Sequence, residues 1–399
     1  MVRRVLAVTV PERVERRARW VLDTLGGRAL GFGTDLPYRA DAWESVERGV
    51  RPEGDAIAEA FFHLARVEEL GGARDERNRF PAAASCLDPL DPPLERLRRE
   101  LGVEPPRYGG ARFAVALTHD IDIPWRWTGV GIRGAAARLR HGALHEAGAL
   151  ARVPLHKVRG TDPNWRFKEI AAEERAHGAT GSTFYVIAGH GHRADGAAPE
   201  AYDRLRGKLV EELLESGSEV GLHGSYLAAD ELDRLAAEAE ALRRLAGTVE
   251  GHRYHYLRID PHRNLVPLDG LGFRYDTTLG FSDALGFRAG IAHPFHPWDF
   301  EREEPAAIVE VPLAAMDATL AEPRYLGLSA AAAKPRLIAL LDYAAEHGGG
   351  FSILWHPDRF DAPSARGWDR LYFELLDEVK ARGGVCLPAG ELAAHLYDR

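Results

Sequence analysis

Cysteine is nearly absent from this chain of 399 residues, which contains only Cys86 and Cys386. The two lie far apart in the sequence and have no metal-binding spacing. A disulfide framework and a cysteine-based zinc finger are therefore both excluded. A reducing compartment is the simplest expectation, with a single disulfide left open.

The chain also lacks an excess of basic charge and any long apolar run. Its 51 basic residues face 60 acidic ones, which gives a net charge of −9, so we expect no nucleic-acid partner. No stretch reaches the roughly 18 consecutive apolar residues of a membrane span. The apolar stretch over residues 5–10 is too short for a signal peptide. We therefore expect a cytoplasmic protein.

Histidine is the residue in excess, with 17 copies in a chain that is otherwise typical of folded proteins (45% hydrophobic, 28% charged). The length suggests two domains. A change of pattern after Pro105 and Pro106 marks the boundary between them. We predict an accessory domain over residues 1–108 and a larger domain over residues 109–399.

The two predicted domains differ in their pattern of apolar residues. The first is predicted to be α/β, with a strand over 5–10 and helices over 11–25 and 55–70. The second alternates short apolar runs with helical segments, which predicts a parallel sheet and favours a distorted (β/α)7–8 barrel. The predicted strands are 113–117, 182–187, 219–222, 273–275, 307–311, 351–355 and 385–387. The predicted helices are 167–177, 204–216, 229–246, 337–347 and 368–382.

Polar side chains capable of catalysis follow the predicted strands of the larger domain. Asp120 and Asp122 come after the first strand, and His223, Asp276 and His356 follow later ones. The carboxyl ends of barrel strands meet at one rim, where catalytic groups of such barrels lie. These side chains are therefore expected to face one cavity.

Imidazole and carboxylate together are the ligands of a borderline divalent cation such as Zn²⁺. A catalytic zinc keeps an open position, lowers the pKa of a bound water and polarises a carbonyl. A separate carboxylate can then act as base and a separate imidazole as acid. The composition of this rim thus points to a hydrolytic metal site.

The ordered motifs of residues 111–390 resemble those of the polysaccharide deacetylase superfamily, also called the NodB-homology or carbohydrate esterase family 4 group. The first motif reads Thr118-His119-Asp120-Ile121-Asp122, the third reads Arg253-Tyr254-His255-Tyr256, and the fifth reads Leu354-Trp355-His356. The resemblance also extends to a bacterial subgroup with a separate N-terminal domain. It implies a metal-dependent hydrolase on a distorted barrel.

The resemblance implies roles for individual residues. Asp120 would be the general base, Arg253 would orient it, and His356 would be the general acid. Asp276 matches the fourth motif, and we expect it to hydrogen-bond to His356. These four residues form the predicted catalytic set.

The metal ligands implied by the resemblance are Asp122 and His223. The second motif of the family has a further histidine four residues on, where this chain has Leu227. We infer that His255, which stands where the third motif has proline, supplies the missing ligand. His119, His252 or a water molecule remain alternatives for this position. Zn²⁺ is the expected metal, with Co²⁺, Ni²⁺ and Mn²⁺ as other candidates.

Four further residues are candidates for binding substrate. Arg258 and Arg288 would bind an anionic group, because the arginine fork matches a carboxylate or phosphate. Tyr256 and Trp355 would contact the sugar, although core packing is the usual role of a tryptophan.

The predicted activity is removal of an N-acetyl or other acyl group from an amino sugar or glycan precursor, with a sugar nucleotide among the expected substrates. One alternative is a non-catalytic carbohydrate-binding barrel that has lost part of the metal site. Another is a glycosidase using Asp120 and a second carboxylate, for which Glu310 is the one candidate at a predicted strand end.

Overall fold

The computed structural model describes residues 12–26, 38–196, 199–361 and 365–397. The predicted strand over residues 5–10 lies outside this part of the chain. Within it, none of the helices combines the length and apolar character needed to cross a membrane.

The regular secondary structure of the described N-terminal segment is helical. It includes α1 (Glu12–Gly26), α2 (Ala40–Glu47), α3 (Ala56–Leu64) and α4 (Pro93–Glu100). Asp55 caps α3, since its carboxylate accepts hydrogen bonds from the first amides of the helix. The two helices expected in this region are confirmed. The second ends earlier than expected, because Arg66 takes a left-handed backbone conformation with φ of 54°.

Nine strands form one sheet in which every pairing is parallel. They are β1 (Phe113–Ile121), β2 (Thr183–Ile187), β3 (Glu219–Gly224), β4 (Gly251–Tyr254), β5 (Tyr275–Asp276), β8 (Val309–Glu310), β9 (Leu313–Met316), β10 (Gly349–Leu354) and β11 (Val385–Leu387). An antiparallel pair, β6 (Trp298–Asp299) and β7 (Glu304–Pro305), stands apart. The sequence patterns missed β4 and β9 of this sheet, and also β6 and β7.

The sheet curls into a distorted barrel. Its strand order is β8-β5-β4-β3-β2-β1-β10-β9, and β11 pairs with the first half of β1. Only Val311 and Pro312 separate β8 from β9, so one chain segment joins both ends of this order. If β8 and β9 are counted as one strand, the barrel is a closed ring of seven strands. The predicted (β/α)7–8 barrel is confirmed.

Helices surround the ring and extend from it. In chain order they are α5 (Gly129–Arg140), α6 (His145–Arg159), α7 (Phe167–Ala176), α8 (Pro199–Glu215), α9 (Leu232–Ala246), α10 (Pro261–Asn264), α11 (Asp317–Ala321), α12 (Ala330–His347), α13 (Trp368–Ala381) and α14 (Ala389–Tyr397). All five helices expected in the barrel are present. α5 and α6 pack on each other around a small core of their own that includes Trp127 and Val153.

The N-terminal helices pack directly against the barrel domain. The ring of Trp20 lies 5.1 Å from that of Trp298, and Arg17 donates hydrogen bonds to Glu303. Buried Arg288 of the barrel pairs with Glu69 at 2.6 Å. One hydrophobic core accordingly includes residues from both sides of residue 108.

Candidate active site

A cavity of about 190 Å³ opens where several barrel strands end. Asp120 and Asp122 reach it from the end of β1, and His223 reaches it from β3. His255 follows β4, and His356 follows β10. Five of the predicted site residues therefore line a single cavity, because parallel strands bring their carboxyl ends to one rim.

Asp122, His223 and His255 form the tightest group in this cavity. Their candidate ligand atoms all lie within 4.8 Å of one another. Oδ1 of Asp122 is 3.3 Å from Nε2 of His223 and 3.6 Å from Nε2 of His255. This oxygen is buried and has no hydrogen bond of acceptable geometry in the described part of the chain.

Both imidazoles are fixed through the nitrogen that faces away from Asp122. Nδ1 of His223 contacts the backbone oxygen of Arg253 at 3.0 Å, and Nδ1 of His255 contacts Oδ1 of Asp195 at 3.1 Å. When each Nδ1 carries the proton, each Nε2 lone pair points toward Asp122. Metal-binding histidines are typically oriented by such partners.

Asp195 is a site residue that the sequence patterns missed. It lies before α8 and accepts hydrogen bonds from the amides of Tyr226 (2.6 Å), His192 (3.1 Å) and Gly191 (3.2 Å). Burial opposes its ionisation, but these amides and His255 lower its pKa to about 2. It follows no strand directly, so no strand-end signal marks it.

The charges around the group favour the ionised carboxylate. Burial opposes ionisation of Asp122, yet the charges of His255 and His356 and the nearby imidazole of His223 hold its pKa well below the usual range. Burial lowers the pKa of His255, but Asp122 and Asp195 raise it to about 9. A metal at Nε2 of His255 would have to displace a proton.

Asp120 lies beside this group and is held by Arg253. Its Oδ1 accepts a hydrogen bond from Arg253 at 3.0 Å, while its Oδ2 lies 3.5 Å from Nε2 of His223. Arg253 also donates to Thr118 and to the backbone oxygen of Thr277, and it is fully buried. Arg253 thus contacts Asp120, as the sequence analysis expected, through a single hydrogen bond.

The partner of His356 differs from the expected one. Nδ1 of His356 contacts Oδ1 of Asp317 at 2.6 Å, and Arg359 donates to the other oxygen of that carboxylate at 2.9 Å. Burial lowers the pKa of His356, but Asp317, Asp122 and Asp120 raise it to about 10. Nε2 of His356 lies 3.8 Å from Oδ2 of Asp122, so this nitrogen faces the metal group.

Asp276, the expected partner of His356, lies elsewhere. It is fully buried and accepts a 2.6 Å hydrogen bond from His252, its register partner on β4. The expected Asp276–His356 hydrogen bond was therefore wrong. The sequence patterns missed Asp317 because they missed β9, the strand that begins after Pro312 and ends just before Asp317.

The alternative candidates for the third metal ligand lie outside the cavity lining. His119 contacts Glu174 at 2.8 Å and the backbone oxygen of Trp355 at 2.7 Å, and it is fully buried. His252 is fixed to Asp276. Of the three histidines considered, only His255 faces Asp122.

Glu310, the carboxylate considered for a glycosidase, is also absent from the cavity lining. It is fully buried, and burial together with the neighbouring charge of Asp276 raises its pKa well above the usual range. The amide of Leu279 donates to it at 2.8 Å. The structure thus gives no support to a carboxylate pair of Asp120 and Glu310.

Three of the four residues expected to bind substrate are engaged elsewhere. Arg258 pairs with Asp230 at 2.6 Å, and Arg288 is buried against Glu69. Trp355 is buried against Trp368 and Tyr372. These three side chains are not available to a substrate, because the arginines pair with carboxylates and the tryptophan packs in the core.

Tyr256, the fourth, lines the cavity. Its ring stacks on that of His255, with centroids 4.3 Å apart, and Arg77 lies over its ring at 4.5 Å. Its backbone is left-handed, with φ of 62°, a conformation that costs free energy for a non-glycine residue. Arg79 donates to its backbone oxygen at 3.1 Å.

The cavity lining also includes arginines that the sequence patterns did not single out, among them Arg79 and Arg324. Arg79 comes from the N-terminal segment and pairs with Asp75 at 2.6 Å. Arg324 is exposed beside Tyr325 and has no ion pair among the described residues. The N-terminal segment therefore contributes directly to the candidate active site.

A larger groove of about 450 Å³ adjoins the cavity. Glu322, Asp358 and Arg359 line both spaces. The far side of the groove is formed by residues of the 126–146 region, including Arg126 and Arg138. The segment carrying α5 and α6 thus borders the space that leads to the metal group.

The chain matches no family model and no curated protein. Among solved structures, it resembles a protein from Parabacteroides distasonis named "putative glycoside hydrolase/deacetylase". The similarity covers 72% of each chain, with 11% sequence identity and a TM-score of 0.42. Similarity at this level shows neither site residues nor activity.

Proposed function

We propose that this protein is a metal-dependent hydrolase that removes an N-acyl group from an amino sugar or glycan precursor. The observation that carries the proposal is the convergence of Asp122, His223 and His255, with both imidazoles fixed through Nδ1 and both Nε2 atoms turned toward one carboxylate oxygen. The order of motifs along the sequence, which resembles the polysaccharide deacetylase superfamily, adds independent support.

The residues present fit a divalent cation such as Zn²⁺. Asp122 Oδ1 is a buried acceptor without a hydrogen-bond partner in the described residues, and two imidazole nitrogens flank it. Three protein ligands are the usual number in a catalytic zinc site. When bound, such a cation polarises the substrate carbonyl and supplies a reactive hydroxide at neutral pH.

Asp120 is placed to act as the general base. Arg253 holds its Oδ1, so Oδ2 remains directed toward the cavity and the imidazole of His223. In the proposed reaction Asp120 takes a proton from the attacking water as the new C–O bond forms. Arg253 orients this carboxylate before the proton is transferred.

His356 is placed to act as the general acid. Asp317 accepts its Nδ1 proton at 2.6 Å, which leaves Nε2 toward the cavity. Because the surrounding carboxylates keep the ring protonated, Nε2–H can donate to the amine nitrogen as the C–N bond breaks. The products are a carboxylic acid and a free amine on the sugar.

The arginines of the cavity favour a substrate with an anionic group. Arg324 is exposed at the cavity without an ion pair among the described residues, and Arg79 and Arg359 also line the cavity. A phosphate or carboxylate on the sugar would pair with Arg324 in the bidentate manner that guanidinium allows. A phosphorylated N-acyl amino sugar or a sugar nucleotide is therefore the preferred substrate class.

The test is acetate release by the Zn²⁺-loaded protein from three substrates: an N-acetylglucosamine oligomer, N-acetylglucosamine phosphate and an N-acetylated sugar nucleotide. We expect release, with a preference for the charged substrates that Arg324→Ala abolishes. Asp120→Asn should lower kcat about 10²–10⁴-fold, because the base is lost.

Asp230→Asn is the matched control, since Asp230 is partly exposed and pairs with Arg258 away from the metal group. It should leave acetate release unchanged. Failure of the loaded wild-type protein to release acetate from any of the three substrates, with sugar binding retained, would favour the non-catalytic binding barrel instead.

A further inference from the structure

A second group of potential metal ligands lies in the N-terminal segment. His63, Glu68 and Cys86 each offer a ligand atom, and these atoms lie within 4.8 Å of one another. The group shares no residue with the cavity group. We propose that His63, Glu68 and Cys86 form a second site for a thiophilic divalent cation such as Zn²⁺.

His63 is the strongest sign of a missing ligand. It is the penultimate residue of α3 and only 1% exposed, yet neither ring nitrogen has a hydrogen-bond partner in the described part of the chain. Burying an imidazole without a partner costs free energy. A cation bound to one ring nitrogen would remove that cost for the nitrogen facing Glu68 and Cys86.

The carboxylate of Glu68 is already fixed beside the thiol. Its Oε2 accepts hydrogen bonds from the backbone amide (3.0 Å) and the Sγ (3.2 Å) of Cys86. Its Oε1 accepts from Ser85 at 2.6 Å and pairs with Arg66 at 2.7 Å. Arg66 also pairs with Glu69, so two carboxylates balance its positive charge beside the proposed metal ligands.

The distances require only a small contraction on binding. Zinc bonds of about 2.0–2.3 Å place tetrahedral ligands roughly 3.3–3.8 Å apart. The present separations of up to 4.8 Å therefore call for side-chain shifts of about 1 Å. Cys86 would bind as the thiolate, with its thiol proton released to solvent as the metal–sulfur bond forms. A water molecule would complete the coordination.

Such a site would stabilise the contact between the N-terminal segment and the barrel. The loop that carries Cys86 is tied to the barrel by hydrogen bonds between Ala82 and Asp283 and between Phe287 and Pro89. Glu69, next to Glu68, pairs with Arg288 of the barrel. A metal joining α3 to this loop would therefore act structurally.

The test uses Co²⁺ with the full chain after metals have been removed by a chelator. Thiolate coordination gives Co²⁺ a near-ultraviolet charge-transfer band, which Asp and His ligands do not give. We expect this band in the wild-type protein and its loss in Cys86→Ser, whereas Cys386→Ser, the matched control, retains it. His63→Ala should weaken Co²⁺ binding at this site at least about 10-fold.

Asp122→Ala separates this proposal from the proposed function, since it removes a ligand of the cavity group only. The band should persist in that variant. Absence of the band from the wild-type protein, or its persistence in Cys86→Ser, would overturn the second site without affecting the first.

Labelling of the wild-type thiols tests the second site without a variant that could misfold. Cys86 is exposed and Cys386 is buried, so a thiol reagent under native conditions reports on Cys86. Zn²⁺ should slow this labelling at least about 10-fold. An unchanged rate at saturating Zn²⁺ would contradict the proposal.

Discussion

His252 and His255 lie three residues apart at the end of the same chain segment, and both have a carboxylate on Nδ1, yet their surroundings differ. Nε2 of His255 faces Asp122, which is 33% exposed and lines an open cavity. Nε2 of His252 abuts Gly224, where even an added Cβ would lie 2.7 Å from it. Nε2 of His255 therefore has room for a ligand, whereas Nε2 of His252 has no such room.

The difference shows that an aspartate–histidine pair does not by itself define a reactive site. The closed pair, His252 with Asp276, forms between register partners of β4 and β5 inside the barrel. The open group forms where β1, β3 and β4 end, and its ligand atoms meet a cavity. Space beside the free nitrogen, more than burial or pairing, distinguishes the two regions.

Replacing one aspartate in each region tests whether the open group and the closed pair differ in metal binding. Asp122→Ala should abolish metal binding at the open group and reduce hydrolysis to background, because it removes a ligand. Asp276→Asn should leave metal stoichiometry unchanged but lower the melting temperature, since breaking a buried pair costs about 3 kcal/mol or more. Metal content and thermal unfolding of both variants check this.

A reversed outcome would contradict the account: metal lost from Asp276→Asn while it is retained by Asp122→Ala. Cys86→Ser in the same background removes the thiolate ligand of the second proposed metal site, so that the stoichiometry reports on the cavity group.

Loss of the proposed acid should have the next largest effect. His356→Gln keeps a polar side chain but cannot protonate the leaving amine, so kcat should fall about 10²–10⁴-fold. Metal content should remain at the wild-type level, because His356 is outside the ligand group. The control is His177→Gln, which removes a surface imidazole paired with Asp377. Equal kcat values for His356→Gln and wild type would exclude His356 as the acid.

Asp317→Asn tests how His356 is tuned and should lower activity about 10–100-fold. Asp317 is the largest contributor to the raised pKa of His356, about 10, so its neutralisation lowers that pKa. The acid form is present below this pKa and is lost as pH rises through it. The alkaline decline of kcat/KM should therefore begin at a lower pH in the variant. An unshifted profile would assign Asp317 a structural role only.

The smallest expected effect lies in the closed region. Burial and the neighbouring charge of Asp276 raise the pKa of Glu310 in the folded state well above its usual range, whereas the unfolded chain ionises near pH 4.5. Its stabilising contribution is complete below that pH and declines as pH rises toward the folded-state pKa. Glu310→Gln should remove this decline, so the variant should gain stability relative to the wild-type protein as pH rises from 4 to 8.

Melting temperatures of the Glu310→Gln and wild-type proteins at pH 4 and pH 8 measure this difference. The two proteins should melt similarly at pH 4 and diverge at pH 8. A variant that is less stable at pH 8 would show that Glu310 is ionised in the folded protein.

Much of the cavity could be predicted because parallel strands obey a simple geometric rule. Their carboxyl ends share one rim, so Asp120, Asp122, His223, Asp276 and His356 were expected to meet, and the structure brings all of them except Asp276 to one cavity. The inference that His255 complements them is consistent with its position, since it follows β4 at the same rim.

The partners of these residues were harder to predict because they depend on strand register and on loops. Asp317 follows β9, whose alanine-rich run after Pro312 carries little strand signal. Asp195 reaches His255 from a loop, and Arg79 reaches the cavity from the N-terminal segment. No periodic pattern encodes contacts of this kind between segments distant in the sequence.

The most direct test of the account is an anomalous difference map from crystals grown with Zn²⁺. The account predicts a peak in the cavity about 2.0–2.2 Å from Asp122, His223 and His255. The same map for Asp122→Ala should lack it. A cavity without a peak at saturating Zn²⁺, or a peak bound by His252 and Asp276 instead, would contradict the central claim.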